Sequence, residues 1–222
     1  FKGTLVVDQN VNLDDTNDAY NRLDFMSSKT IINPGIVMSG TGNNVSAVGQ
    51  RNYTGTSGRN EVTVINNGTI KQTGQNVIGI VTDYGNITNA GLISSTGDNS
   101  IGIYGANGTV ITNAGTVNIG NKSVGIYGVN YLTTPELYGN GTININNNGN
   151  IISTGTAHGG YGIYANNTAL PAASSLITLG TGSNIDVSSG AAGIGIYAVN
   201  STLNIDGNIT VGKDGVGIYA SG

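Results

Sequence analysis

Gly-Ile-Tyr is spelled five times in this chain, and nothing else in the sequence constrains the fold as strongly. Its glycine falls at Gly102, Gly125, Gly162, Gly195 and Gly217, with a Gly-Ile-Val variant at Gly79. The successive spacings are 23, 23, 37, 33 and 22 residues. A second glycine lies five residues upstream at Gly74, Gly97, Gly120, Gly190 and Gly212; only Gly155 departs, seven residues before Gly162. A third phrase, Asn-x-Gly-x-(Ile/Val), occupies 66–70, 89–93, 113–117 and 147–151, with looser versions at Gly182 to Ile185 and Gly207 to Ile209. "NPGIV" at 33–37 reads as a degenerate first copy, with Val48-Gly49 in the anchor position. Self-similarity at a period of 20 to 50 residues marks a solenoid, a propeller or an array.

A unit of about 22 to 24 residues is too short for a helix pair, and it carries no apolar 3.6 period. Period-2 alternation fits instead. It places Ile101, Ile103 and Gly105 on one face and Gly102 and Tyr104 on the other. The same parity puts Val124, Ile126 and Gly128 inward, then Tyr161, Ile163 and Ala165, then Ile194, Ile196 and Ala198, then Val216, Ile218 and Ala220. Short strands with Gly or Asn corners, one turn per repeat, describe an all-β, right-handed parallel β-helix of about seven coils. One coil cannot bury its own apolar face. Stacking coils about 4.8 Å apart pairs each strand with its copies and builds Ile and Val ladders inside. Asparagine tolerates left-handed corners, and its amide can bond the next in a stack. Two Asn columns are predicted: Asn66, Asn89, Asn113 and Asn147, and Asn107, Asn130, Asn167 and Asn200.

Residues 33–222 form the solenoid under this reading, and residues 1–32 a cap or an irregular first coil. The chain stops at "GIYASG" without a polar cap, so the expectation is an excerpt of a longer solenoid. Extra residues collect at 51–60, at about Tyr131 to Gly141, and at about Asn166 to Thr181. Insertions in a solenoid become loops that project from the shaft.

Composition excludes several functions. Charged residues make up 9% of the 222, against about a quarter in ordinary domains. The 8 Lys and Arg are scattered and the net charge is −4, so no nucleic-acid footprint exists. No apolar run is long enough to span a membrane as a helix. The absence of Cys removes disulfides, thiolate metal sites and Cys nucleophiles. His158 is the single imidazole, it lies in a loop-like "GTAHGGYG", and no Gly-x-Ser-x-Gly accompanies it. Glycoside cleavage needs two carboxyl groups within about 5 to 10 Å. Asp83, Asp98, Asp186, Asp206 and Asp214 fall at different repeat positions, and Asp186 aligns with Thr210 rather than Asp206. "NLDDTND", Asn12 to Asp18, lacks the central Gly and closing Glu of a calcium loop and reads as a solvated acidic turn. No catalytic residue, metal site or cofactor is expected.

Tandem "GIYGANGTVITNAGTV" units joined by "STGDNSIGIY" resemble the passenger repeats of type V autotransporter adhesins, most of all those of the very large fusobacterial outer-membrane autotransporters. The resemblance covers about residues 33 to 222. It implies a β-helical stalk on the bacterial cell surface, outside the outer membrane. It also implies an anchoring β-barrel elsewhere in the chain, and attachment to a host-cell surface protein or glycan or to a partner bacterium. It implies no membrane contact by this segment and carries over no ligand-binding residue. A polysaccharide hydrolase or lyase on the same scaffold is the alternative. An ice-binding solenoid would need a regular Thr column that this sequence does not keep, and a phage tail-spike shaft would assemble as a trimer.

Binding candidates are the inserted loops and one aromatic column. Tyr131, Leu132, Pro135, Leu137 and Tyr138 form a stiffened aromatic loop, or Leu132 and Leu137 fold back onto the shaft. Arg51, Tyr53 and Arg59 form a second candidate in the first insertion. Tyr104, Tyr127, Tyr164, Tyr197 and Tyr219 should line up outside, beside a Gly column, as an aromatic shelf. Such a shelf either shields the sheet or serves as a platform for sugar rings or a partner protein.

Overall fold

A computed structural model describes residues 3–14, 23–24, 29–50, 61–130, 142–168 and 175–222. Among these residues the chain forms three parallel sheets of eight strands each and no helix. The first sheet runs from Thr4–Val7 to Ser201–Ile205, the second from Val11–Asn12 to Asn208–Val211, and the third from Leu23–Asp24 to Val216–Ser221. Each strand pairs with the strand three positions later in the chain. The polypeptide therefore visits the sheets in rotation and rises one rung per circuit, which makes a parallel β-helix. Eight rungs are present where repeat spelling gives about seven. The additional one lies at the start: Thr4–Val7 pairs with Lys29–Ile32, and Val11–Asn12 with Val37–Gly40.

Register follows the repeat letter for letter. Ile103 stands opposite Ile80 and Ile126, and Tyr104 opposite Tyr127. In the second sheet Ile70, Ile93, Val117, Ile151, Ile185 and Ile209 occupy one column. In the first, Val64, Ile87, Ile111, Ile145 and Ile177 do the same. All of these except Ile209, which lies in the last rung, are 0–1% exposed. They fill the bore, each stabilised by roughly 1.5–3 kcal/mol relative to exposure. Ile218, on the last strand, is 42% exposed.

The two asparagine columns differ. Asn66, Asn89, Asn113 and Asn147 are fully buried at the ends of their first-sheet strands. Asn66 Nδ2 donates to Asn89 Oδ1, Asn89 Nδ2 to Asn113 Oδ1, and Asn113 Nδ2 to Asn147 Oδ1, each at 2.7 Å. The ladder ends where Leu179 takes the next place, and Asn147 Nδ2 then turns to Gly149 O at 3.2 Å. This column is held by amide bonds and not by left-handed backbone: none of the four has a positive φ. The column at Asn107, Asn130, Asn167 and Asn200 is irregular. Asn107 and Asn200 are left-handed, both with φ of 49°, and Asn130 Nδ2 donates to Asn167 Oδ1. Asn107 Nδ2 instead donates to Asp83 Oδ1 at 2.6 Å.

The turn from the second sheet into the third holds most of the remaining left-handed residues: Asn44, Asn76, Asn99, Lys122, Ala192 and Asp214. The Asn-x-Gly glycines have a steric cause of their own. A Cβ on Gly91, Gly115 or Gly149 would collide with the carbonyl of the equivalent glycine one rung below. The acidic turn of the first rung is anchored: Asp14 accepts from Thr41 N at 2.7 Å, Gly42 N at 2.8 Å and the Thr41 hydroxyl at 2.9 Å. Those two backbone donors, with the hydroxyl adding to them, hold its carboxyl below the usual Asp range. The solvated turn expected from "NLDDTND" is thus a clamp at Asp14, while Asp15 and Asp18 lie outside the described residues.

Candidate interaction surface

The third sheet departs from strict alternation at one residue per rung. Along Ile101–Ala106, Gly102 and Ile103 are both buried while Ile101 and Tyr104 are half-buried. The same sequence of burial recurs in Val124–Val129, Tyr161–Asn166 and Ile194–Val199. The anchor glycine faces the bore. A Cβ on Gly79 would lie 2.6 Å from Ile93 Cγ2, and one on Gly102, Gly125, Gly162 or Gly195 would collide with Val117, Ile151, Ile185 or Ile209. The second and third sheets approach too closely there for any side chain.

This corrects two expectations. The glycines do not lie outside beside the tyrosines. Nor do Ile101, Val124, Tyr161, Ile194 and Val216 point into the bore: with the pleat kinked at glycine, the residue before it and the tyrosine two residues after it share the outer face. The inward positions of Ile103, Ile126, Ile163 and Ile196, and of Gly105, Gly128, Ala165 and Ala198, stand as expected, all buried.

The outer face of the third sheet therefore carries two apolar columns. One is Ile78, Ile101, Val124, Tyr161, Ile194 and Val216. The other is Val81, Tyr104, Tyr127, Tyr164, Tyr197 and Tyr219. The five tyrosines expected as a shelf form one continuous stack. Consecutive ring centroids are 5.3, 4.8, 4.8 and 4.9 Å apart, with interplanar angles of 6° to 11°. Tyr161 stands edge-on to Tyr164 at 5.5 Å and to Tyr197 at 6.1 Å. Sequence reasoning missed Tyr161 as a member of this face. The signal was available, because an invariant glycine within a strand marks a bulge or a close backbone approach.

Ring orientation decides what the stack can bind. Tyr127, Tyr164 and Tyr197 each have both faces covered by neighbouring tyrosines. A sugar stacks on a ring face, so these three offer it no platform. They present ring edges and hydroxyls at rung spacing. Desolvation, and then the charge of a neighbouring phenolate, raises the pKa of Tyr127 and of Tyr197 above the usual phenol value.

The loop candidates Arg51, Tyr53, Arg59, Tyr131, Leu132, Pro135, Leu137 and Tyr138 lie outside the described residues. Their roots do not. Residues 51–60 leave after Ser46–Gln50 and return before Val62–Asn66. Residues 131–141 leave after Val124–Val129 and return before Asn144–Asn147. The third insertion leaves after Tyr161–Asn166 and returns at Ser175–Leu179. In all three the flanking strands belong to the third sheet and then the first, which sets the break at one corner of the shaft. That corner borders the tyrosine column: Asn130 and Asn167 each follow their tyrosine by three residues.

The other singled-out groups stay apart. His158 is exposed on a turn, where its backbone N–H donates to Asn121 Oδ1 at 3.3 Å. Asp186 pairs in register with Thr210, as read from the repeat, and its carboxylate accepts from Ser188. Asp98 accepts from Asn121 Nδ2 at 2.9 Å, and Asp206 accepts from the Thr181 hydroxyl. Among the described residues no three His, Cys, Asp or Glu side chains group to hold a metal. No protein family, curated protein or solved structure matches the chain.

Proposed function

We propose that the chain is a non-enzymatic adhesive segment of a bacterial surface protein. In this reading a β-helical shaft displays loops that attach the cell to a host-cell surface protein or glycan, or to another bacterium. The observation that carries it is the shared root of the three insertions. Three of the insertions share the corner from the third sheet to the first, beside the aromatic face; the connections at 13–22 and 154–160, between the second sheet and the third, are also longer than their counterparts. One-sided display on a rigid rod is what a contact surface needs, because positioned loops on a scaffold are where binding concentrates. The type V secretion route and outer-membrane location belong to the same proposal and rest on the resemblance of the repeats.

The test is direct. The immobilised 222-residue chain is presented to host-cell monolayers, a glycan array and partner bacteria. A variant lacking 51–60 and 131–141 is run beside it, with circular dichroism confirming an intact shaft. Adhesion that disappears with the loops supports the proposal. Adhesion that survives their removal, or is absent from the intact chain, makes this segment a spacer only.

A further inference from the structure

We infer that the outer face of the third sheet is a self-association surface, where a second copy of this chain packs side by side. The inference does not depend on the adhesive reading.

Chemistry separates this face from the other two. Polar residues predominate outward on the first sheet, with Thr63, Asn86, Thr112 and Asn144 beside Ile65, Val110 and Leu176, and on the second, with Lys71, Ser94, Asn118 and Asp186 beside Leu92 and Ile152. The two columns of the third sheet hold only Ile, Val and Tyr from Ile78–Asp83 to Val216–Ser221, with no charge. A chain of net charge −4 that meets its own copy does so at lower cost through a face whose one carboxylate, Asp83, lies at its edge. Contiguous outward apolar surface on a soluble segment marks an interaction site.

Shape and period select the partner. The tyrosines form a ridge whose ring faces are closed to ligands, and the Ile/Val column beside it forms a lower shelf. A two-fold axis parallel to the solenoid axis sets the ridge of each copy on the shelf of the other, and an isologous contact requires that self-complementarity. The face repeats every rung, about 4.8 Å, and a second copy repeats it identically. Four of the six rungs then pair a tyrosine with an Ile or Val, while the Ile78–Asp83 rung offers Val81 in the ridge and the Tyr161–Asn166 rung offers Tyr161 in the shelf. Six rungs, each about 17 Å across the strand, give roughly 450 Å² of projected area per copy. With ridge relief, two copies remove on the order of 1,000 Å² from water, the lower bound for a specific interface. The pair is accordingly a concentration-dependent dimer.

Sedimentation equilibrium of the 222-residue chain from about 1 to about 200 µM reads this out. The expected mass rises from 22.5 kDa toward twice that value. Ile101→Lys combined with Ile194→Lys puts two charges on the shelf and holds the mass at the monomer throughout. Thr112→Lys on the first sheet leaves association unchanged. A monomer at every concentration, a trimer, or a shelf variant that dimerises like the parent overturns the inference. Because the shelf variant could fail to fold, fluorotyrosine NMR of the unsubstituted chain gives a second reading. Resonances of Tyr127, Tyr164 and Tyr197 shift with dilution; resonances that ignore dilution overturn the inference equally.

Discussion

The first and third sheets climb the same axis at the same pitch, yet they face solvent with opposite chemistry. Strands of the first sheet keep strict alternation, as in Val62–Asn66 and Ser175–Leu179, and turn mostly Thr and Asn outward. Strands of the third sheet insert one glycine that faces the bore, and everything before it changes sides. A residue with no side chain thus decides which side chains the outside world meets. Pattern alone cannot give the outer chemistry of a sheet; the distance to the facing sheet enters as well.

The sharpest way to break this contrast is Gly125→Ala. Its methyl would strike Ile151 and come within 2.6 Å of Gly162 O, so either the pleat straightens or the second sheet withdraws. We expect a loss of about 3 kcal/mol in denaturant unfolding, because backbone and core must both yield. Gly182→Ala is the matched control. It has a φ of 81° but open space, and should cost roughly 1 kcal/mol. Equal losses would show that the collision is not what fixes the glycine.

On the first sheet the corresponding break is Asn113→Ala. It strands Asn89 Nδ2 and Asn147 Oδ1, each buried, and should cost about 2–4 kcal/mol by the same measurement. A loss below about 1 kcal/mol would mean the ladder contributes order without stability.

The two faces also differ in their response to pH. Tyr127 and Tyr197 have raised pKa values, so the stability they contribute is present below the unfolded phenol value of about 10 and is lost as pH rises through their folded values. Phenolate absorbance should rise late relative to free tyrosine, and the third sheet should loosen before the first in hydrogen exchange. Simultaneous loosening would deny the stack its role.

The smallest effect is at the first rung. Asp14 has a lowered pKa, so its stabilisation is present above the unfolded value of about 3.9 and fades as pH falls through the folded one. Exchange of the Thr41 and Gly42 amides should accelerate below about pH 4, with the central rungs unchanged. Acid-insensitive amides at Thr41 and Gly42 would remove the clamp.

Much of this molecule was legible before any coordinates. Recurring letters set the rung, and the register of Ile103, Tyr104 and Asn113 with their copies follows from them directly. The bore positions after each anchor glycine were legible for the same reason. Ile101, Val124 and Tyr161 were misplaced because period 2 assumes an even pleat, and steric closure between two sheets is a long-range fact. The left-handed residues Lys122 and Ala192 carry no local signal at all, since their type disfavours the conformation that the turn imposes. Of the binding candidates, only the tyrosine column could be placed, and its ring edges face outward where open ring faces were one of the expectations.

The asparagine ladder has an end, at Leu179, and that end has a meaning for how the chain assembles itself. Turns of near-identical spelling are interchangeable partners, so a growing stack risks skipping a storey or docking one upside down in sequence. The four amides, bounded by Ile32 below and Leu179 above, work as a bracket: an aliphatic rung that docked inside the run would leave a neighbouring amide without its partner. Such punctuation marks which storeys of a monotonous text belong together.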